Sequence, residues 1–307
     1  MMTFRPVLRW HRPLLVLAAV MVLLVLVSLA GLLVDDRRLL GVSVWLKPLK
    51  FGISFTVYAL TLAWMLSLVT RGRRIADAAG TAVAVAGLAE VGIIVFQAAR
   101  GHLSHYNVAT DLDDTLWMWM GITIGVLWVA TLVLAVVLFF APIGDQASRW
   151  AVRLGVVVAL GGMAVGLLML RPTPEQEAAD VETVVGAHSV GVPDGGPGMP
   201  LTGWSLTGGD LRIAHFVGMH GLQALPLLAM LMAALAGRGI RLDPVRRARL
   251  VLVGAAAYVG LVAVLTWQAL RGQPLLHPDP ATWAALGLLV VAACVGAVSV
   301  LRTPGHR

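Results

Sequence analysis

The sequence predicts an all-α polytopic membrane protein with eight transmembrane helices, arranged as two parallel four-helix repeats with both termini in the cytoplasm. Three observations lead to this prediction: an apolar composition, eight long apolar runs and a repeated polar motif. Of the 307 residues, 59% are hydrophobic and 13% are charged, and the mean hydropathy is +0.86. Because soluble domains carry about 25% charged residues, this chain is expected to lie in a bilayer.

Eight apolar runs are each long enough to cross a hydrocarbon core of about 30 Å, which takes roughly 20 helical residues. They lie near residues 13–34, 46–69, 75–99, 115–141, 150–170, 211–236, 248–270 and 281–301. The first run follows Arg5, Arg9 and Arg12, as the apolar core of a signal peptide would. Since it exceeds the usual 7–15-residue length of such a core, we predict a retained helix.

The distribution of charge predicts the orientation. An even number of spans puts both termini on one side, and assigning that side to the cytoplasm places 15 of the 23 Lys and Arg residues inside. This agrees with the positive-inside rule, and we predict a multi-pass protein of a bacterial plasma (inner) membrane. Because the basic residues are spread over short segments, the net charge of +7 does not indicate nucleic-acid binding.

The internal repeat is visible in residues 97–101 (QAARG), which close the third run, and residues 268–272 (QALRG), which close the seventh. Residues 46–51 match residues 211–216 in the same way. Four helices per half give both copies the same orientation, so the halves are expected to be related by a pseudo-twofold axis along the membrane normal. We predict a first repeat over residues 1–145 and a second over residues 146–307.

The second repeat contains an outer insertion, residues 172–210, which is rich in Pro, Gly, Asp and Glu. The equivalent connection in the first repeat has only about ten residues. Loops of this length are usually functional or disordered. Two interpretations stay open: a flexible lid over a site, or an inert and partly disordered insertion.

Polar residues recur in pairs three positions apart, a spacing that leaves both side chains on one face of a helix. The pairs lie at the outer ends of the second, sixth, third and seventh helices: Lys47/Lys50, Arg212/His215, Gln97/Arg100 and Gln268/Arg271. Ionisable groups in spans usually face the bundle interior or a water-filled cavity, so we predict one outward-facing polar cavity. Its cations either bind an anionic group, such as a phosphate or carboxylate, or pair with outer acids to hold the fold.

Some polar residues occur in one repeat only, and function is expected to lie with them. Glu90 and His220 are predicted to lie at similar depths, about 15 Å and 12 Å below the outer cations of their helices at 1.5 Å per residue. Gln223 falls on the same broad polar face as His220. An intramembrane ionisable residue is a functional hypothesis by default, so Glu90 and His220 form either a proton-coupled pair or a buried structural hydrogen bond.

Four outer-side histidines, His102, His105, His215 and His220, offer a metal site as an alternative. The layout of eight helices in two four-helix halves resembles that of haem A synthases. That family carries histidines on the second and fourth helices of each half, whereas this chain has Lys50 on the second helix and no histidine on the fourth or eighth. The resemblance therefore implies a b-type haem only as an alternative, and no residue role is carried over from it.

The leading functional prediction is binding, with possible transport, of a small anionic or lipid-like molecule in the outward-facing cavity. The second is a membrane-embedded enzyme, either a metal- or haem-dependent oxidoreductase or a lipid-modifying enzyme, that uses the outer-side histidines. The third is a non-catalytic accessory or sensor subunit. The predicted partners are the lipid bilayer and the small ligand, and the sequence leaves the cofactor and the oligomeric state open.

Overall fold

A computed structural model describes residues 10–179, 183–240 and 242–303. The first half contains α1 (Arg12–Val34), β1 (Arg38–Leu39), β2 (Val42–Ser43), α2 (Leu46–Ser67), α3 (Arg73–Arg100) and α4 (Asp111–Phe140). The second half contains α5 (Gln146–Val165), which continues as a 3-10 turn (Gly166–Leu170), then α6 (Pro174–Ala179), β3 (Ser189–Val190), β4 (Gly209–Asp210), α7 (Leu211–Met219), α8 (Gly221–Gly237), α9 (Pro244–Leu270) and α10 (Pro280–Arg302).

The structure confirms a helical protein whose helices include several that are long and apolar enough to span a membrane. Within the described residues, seven helices are long and apolar enough to cross a membrane, and an eighth span is present if α7 and α8 are counted together. The two pieces meet at a bend of 45°. Each of the eight apolar runs in the sequence coincides with one of these spans to within a few residues.

Local sequence signals account for where several helices begin. Asp145, Asp243 and Asp279 each cap the helix that follows by accepting hydrogen bonds from its first backbone amides. Such caps satisfy donors that have no partner within the helix. Proline then occupies the first turn of α9 and α10, where a missing amide costs nothing.

The helices pack in two groups with corresponding neighbours. In the first half, α1, α2 and α3 contact one another and α4 packs on α3. In the second half, α5, the α7–α8 pair and α9 contact one another and α10 packs on α9. The halves meet mainly where α4 packs on α5, and one apolar core runs through this contact from Leu127 and Leu134 to Val152 and Val156.

Helices α5 and α7 cross very closely in the second half. A Cβ atom added at Gly162 would lie 2.3 Å from the carbonyl carbon of Gly218, so only glycine allows the two backbones to approach this closely. The bend between α7 and α8 follows directly, at His220. The carbonyl of Val217, which loses its helical partner there, accepts a hydrogen bond of 2.6 Å from the Tyr258 hydroxyl. The bend is therefore fixed by packing and by a satisfied backbone group.

Candidate functional site

Four connections meet at one end of the helices: residues 35–45, 101–110, 271–279 and the described part of the longest, residues 171–179 and 183–210. We call this the capped end, because part of the longest connection, residues 183–210, lies across the others and forms the cap. Strands β3 and β4 pair antiparallel inside the cap. The cap also pairs with the first half, since the amide of Val108 donates to Thr183 and the amide of Val185 donates to Tyr106, both at 2.9 Å. The described part of the predicted insertion is thus a folded element.

Two of the predicted anion-binding cations hold the cap in place. Lys50 donates from Nζ to the carbonyl of Thr202 at 2.8 Å. Arg212 donates from Nη2 to the carbonyl of Gly203 at 2.7 Å, and it also makes a two-pronged ion pair with Asp210. Because Asp210 is almost completely buried, the Arg212 charge is neutralised inside the protein. Both side chains therefore fasten the cap to the helices.

Three histidines gather beneath the cap: His105 from the connection after α3, His188 from the cap and His215 from α7. The rings of His105 and His188 are stacked with their centroids 6.5 Å apart. His188 and His215 both lie close enough to His105 for their ionisation to affect it. Aromatic rings enclose the group, with Tyr106 against His188 at 4.9 Å and Trp117 against His105 at 5.7 Å.

Hydrogen bonds orient two of these imidazole rings. His188 donates from Nδ1 to Asp194 Oδ2 at 2.7 Å, and the same carboxylate accepts from the backbone amides of His188 and Ser189. His215 donates from Nδ1 to the carbonyl of Gly162 at 2.8 Å. A neutral imidazole that donates from Nδ1 keeps Nε2 as an acceptor. His188 and His215 can therefore each accept a hydrogen bond from a ligand.

Burial controls the ionisation of the groups in the connections. It lowers the pKa of His188 more than the adjacent Asp194 carboxylate raises it. Burial also holds the pKa of His105 well below its ordinary value, and the positive charge of Lys47 adds to this shift. The pKa of Asp194 is lowered in spite of burial, because it accepts hydrogen bonds from His188 and from two backbone amides. The cluster beneath the cap thus contains neutral imidazoles and an ionised Asp194.

Lys47 points into this cluster from the first turn of α2. In the part of the chain that the structure describes, its ammonium makes no hydrogen bond or ion pair, yet it is near enough to Lys50, Glu90 and Asp194 to interact with their charges. The side chain is only partly exposed, and its nitrogen retains accessible surface. Lys47 is therefore a cation with unused hydrogen-bond donors, close enough to His105 and His188 for its charge to act on both.

Glu90 and His220 do not form the contact that their similar depth suggested. Glu90 is 1% exposed and accepts a hydrogen bond of 2.8 Å from the hydroxyl of Thr123. His220 is exposed at the α7–α8 bend, where its Nδ1 lies 3.2 Å from Gln223 Oε1, and Gln223 in turn donates to Thr61. Rise per residue gives depth along a helix but not the direction of a side chain around it, and this is why the expected pairing was wrong.

The repeated Gln-x-x-Arg motif closes two connections, the one that follows α3 in the first half and the one that follows α9 in the second half. Gln97 donates to the carbonyl of Leu103 at 3.3 Å, and Gln268 donates to the carbonyl of Pro274 at 2.8 Å, six residues further on in both cases. The arginines complete the closure, because Arg100 pairs with Asp113 and Arg271 pairs with Asp279. These four predicted ligand-binding side chains are engaged by their own connections, as the fold-holding interpretation expects.

The four histidines proposed as metal ligands are not brought together. His102 contacts Asp113 at 3.2 Å, His220 contacts Gln223, and only His105 and His215 reach the cluster beneath the cap. Within residues 10–179, 183–240 and 242–303, no three His, Cys, Asp or Glu side chains are placed to hold a metal ion. The expected set is wrong for a geometric reason: His102 and His105 share the connection after α3, whereas His215 lies on α7 and His220 lies at the bend that follows it.

Sequence reasoning missed His188, Asp194 and Tyr106. His188 and Asp194 lie in the insertion, which has no apolar periodicity to indicate which way a side chain points. One signal was present: a histidine and an aspartate six residues apart in a Gly- and Pro-rich segment that the first half lacks.

Comparisons of the chain with protein-family models, with curated proteins and with solved structures found no match. The fold and the site therefore define the class: a helical membrane protein with a capped polar cluster.

Proposed function

We propose that this protein binds a small molecule that carries an anionic group, a phosphate or a carboxylate, in the cluster beneath the cap. Lys47 makes the direct contact with the anion, and His105, His188 and His215 surround it. The lipid-like ligand of the sequence prediction is included, since an anionic lipid headgroup and a free anion share this chemistry. Transport of the ligand, with Glu90 as the nearby acid, extends the same proposal.

The observation that carries this proposal is the unused ammonium of Lys47. A partly buried charge without a partner is costly, and proteins normally pair such a group or place it where a ligand completes it. Lys50 and Arg212 differ from Lys47 because backbone carbonyls of the cap already accept their hydrogen bonds. Lys47 is thus the cation in this cluster that has three donors to offer to an anion.

The histidines add selectivity to this attraction. Because burial keeps His105 and His188 neutral, they do not bind the anion by charge. The Nε2 atoms of His188 and His215 instead suit a ligand with a hydroxyl group or an acidic proton beside its anionic group. We infer that the ligand combines both features, as a hydrogen phosphate ester or a hydroxy acid does.

The architecture that goes with this proposal consists of two parallel four-helix repeats in a bacterial plasma membrane. The corresponding helix contacts in the two halves and the two Gln-x-x-Arg closures support a duplication. The charge distribution supports an orientation with the capped end outside and both termini in the cytoplasm. In this orientation the ligand reaches the cap from the outer side.

The test is ligand binding to the purified protein in nanodiscs, with inorganic phosphate, acetate and lysophosphatidate as the probes. We expect calorimetric binding of at least one probe, and lysophosphatidate distinguishes a lipid headgroup from a free anion. Lys47→Met is expected to weaken binding by roughly 10- to 100-fold, the effect of losing a hydrogen bond to a charged group. Without ligand, the same variant is expected to melt at a higher temperature, because a partly buried charge without a partner has been removed.

Arg37→Met is the matched control. Arg37 is a cation at the same end whose guanidinium is paired with Asp35, so its loss is expected to leave probe affinity unchanged. Absence of binding for all three probes, or wild-type affinity in Lys47→Met, contradicts the proposal.

A further inference from the structure

A groove of about 330 Å³ lies between α3 and α4 on the outer surface of the helices, within two membrane-spanning segments. Its walls are Ala89, Gly92, Ile93, Phe96, Leu116, Trp119 and Thr123. Phe96 and Trp119 are about half exposed, so the groove opens toward the lipid. A volume near 300 Å³ is at the lower end of the range for small-molecule sites.

Thr123 supplies a hydroxyl group to walls that are mostly apolar. This hydroxyl donates to the buried carboxyl group of Glu90, with Oγ1 2.8 Å from Oε2. Its oxygen also lies 3.0 Å from the carbonyl of Met120. A hydroxyl has one hydrogen to donate and two lone pairs, so the Thr123 oxygen can still accept a hydrogen bond from a molecule in the groove.

We propose that this groove is a binding site for the hydrocarbon chain of an amphiphile with a hydroxyl head, which enters from the bilayer and donates a hydrogen bond to Thr123. The membrane environment determines the apolar part of this assignment, because a lipid-facing groove is in contact with hydrocarbon and an unfilled space forfeits dispersion contacts. Thr123 determines the polar part. Its hydroxyl already donates its hydrogen to Glu90, so its oxygen can only accept a further hydrogen bond. The site is separate from the cluster beneath the cap and does not depend on the binding of an anion at Lys47.

At Gly92, a larger side chain can fill the groove without disturbing the helix packing. A Cβ atom at Gly92 would meet no other atom within 4 Å, so a larger side chain there extends into open space. The same is true of Gly125 on α4, which does not line the groove. Gly92→Phe and Gly125→Phe therefore form a matched pair, in which both variants add the same ring but only the first blocks the site.

The experiment is photolabelling in phosphatidylcholine nanodiscs with diazirine-tagged hexadecanol and, as a probe without a head, diazirine-tagged hexadecane. Labelled peptides are mapped by mass spectrometry. Hexadecanol is expected to label residues 89–96 and 116–123 in the wild type and in Gly125→Phe, and at least about tenfold less in Gly92→Phe because the ring occupies the site. Thr123→Val is expected to reduce hexadecanol labelling roughly two- to tenfold, as the loss of one hydrogen bond implies, and to leave hexadecane labelling unchanged.

Equal hexadecanol labelling of the wild type and Gly92→Phe overturns the assignment of the groove. If Thr123→Val reduces labelling by hexadecanol and by hexadecane to the same extent, the assignment of the hydroxyl head is overturned. Melting temperatures of the variants establish that they are folded, and Ala89→Leu replaces Gly92→Phe if that variant is not. Hexadecanol is expected to label the Lys47→Met variant as strongly as the wild type. A failure of the groove proposal is therefore distinguishable from a failure of the anion-binding proposal.

Discussion

Neighbouring residues beneath the cap differ in their hydrogen-bond partners. Lys47 and Lys50 lie one turn apart on α2, yet Lys50 donates to the backbone of the cap while Lys47 has no such partner. The sequence placed both on one helix face but could not separate their roles, because the difference depends on where the Thr202 carbonyl lies. The positions of His188 and Asp194 were even harder to predict, because nothing in their local sequence indicates that the cap brings them against residues of the helices and of the other connections.

The cap is expected to loosen in acid. Burial lowers the pKa of His188 and His105 below the ordinary value of about 6.5, so protons bind more readily to the open or unfolded state. Their contribution to stability is therefore complete above about pH 6.5 and falls as the pH drops below it. Asp194, whose pKa is also lowered, adds a further loss only below about pH 4. We expect faster hydrogen exchange of residues 183–210 at pH 5 than at pH 7.5, after correction for intrinsic rates.

His188→Gln is expected to reduce this pH dependence, because a glutamine amide can still donate to Asp194 but does not titrate. His277→Gln serves as the control, since His277 is exposed in another connection at the same end. Exchange in the cap that is independent of pH between 5 and 7.5 would show that the imidazoles do not control it.

At the scale of elements, the sequence located the spans but not their internal shape. Eight apolar runs gave the boundaries because each must cover the hydrocarbon thickness. Prolines do not mark the bend, since Pro48 lies in the first turn of α2 and Pro226 lies inside α8. The bend occurs at His220, one to two turns before Pro226, where glycines bring α7 against α5 and Tyr258 satisfies a freed carbonyl.

The crossing of α5 and α7 predicts a strong effect of a single methyl group. Gly162→Ala places a Cβ atom 2.3 Å from the backbone of Gly218, so the two helices must move apart. We expect a loss of about 1–3 kcal/mol in the free energy of unfolding, as for other overpacked sites, measured by denaturant titration in mixed micelles. The shift also disturbs the site, because the Gly162 carbonyl accepts the hydrogen bond from His215.

Gly161→Ala is the control for this prediction. The neighbouring glycine has open space around its Cβ position, and alanine has a higher helix propensity than glycine, so this variant is expected to be neutral or slightly more stable. Similar losses in the two variants would mean that the close approach of α5 and α7 is not what stabilises this half.

At the scale of the whole molecule, the two halves share a pattern of contacts and differ in what covers them. The Gln-x-x-Arg motif, visible in the sequence as a repeat, closes equivalent connections in both halves. Its occurrence in both halves is explained by this shared structural task. The cap, present in one half only, brings His188 over residues from the other half.

The proposed orientation predicts which end of the molecule is accessible from outside the cell. In a chain with Cys294→Ala, a cysteine at exposed Thr207 in the cap is expected to react with a membrane-impermeant maleimide in intact cells. A cysteine at exposed Gln146, at the opposite end of α5, is expected to react only after the membrane is permeabilised. The reverse pattern would invert the topology and place the ligand site on the cytoplasmic side.

The sequence by itself determined that the chain is helical and apolar enough to span a membrane, where its spans lie, and that polar residues collect at one end of them. These properties follow from composition and from one-dimensional spacing. Only the tertiary structure decided which polar residues meet: the pairing of Glu90 with Thr123, the gathering of His105, His188 and His215, and the unpartnered ammonium of Lys47. The physical reason is that burial and charge pairing depend on the rotation of each helix and on the path of the cap, which no periodicity in the sequence records.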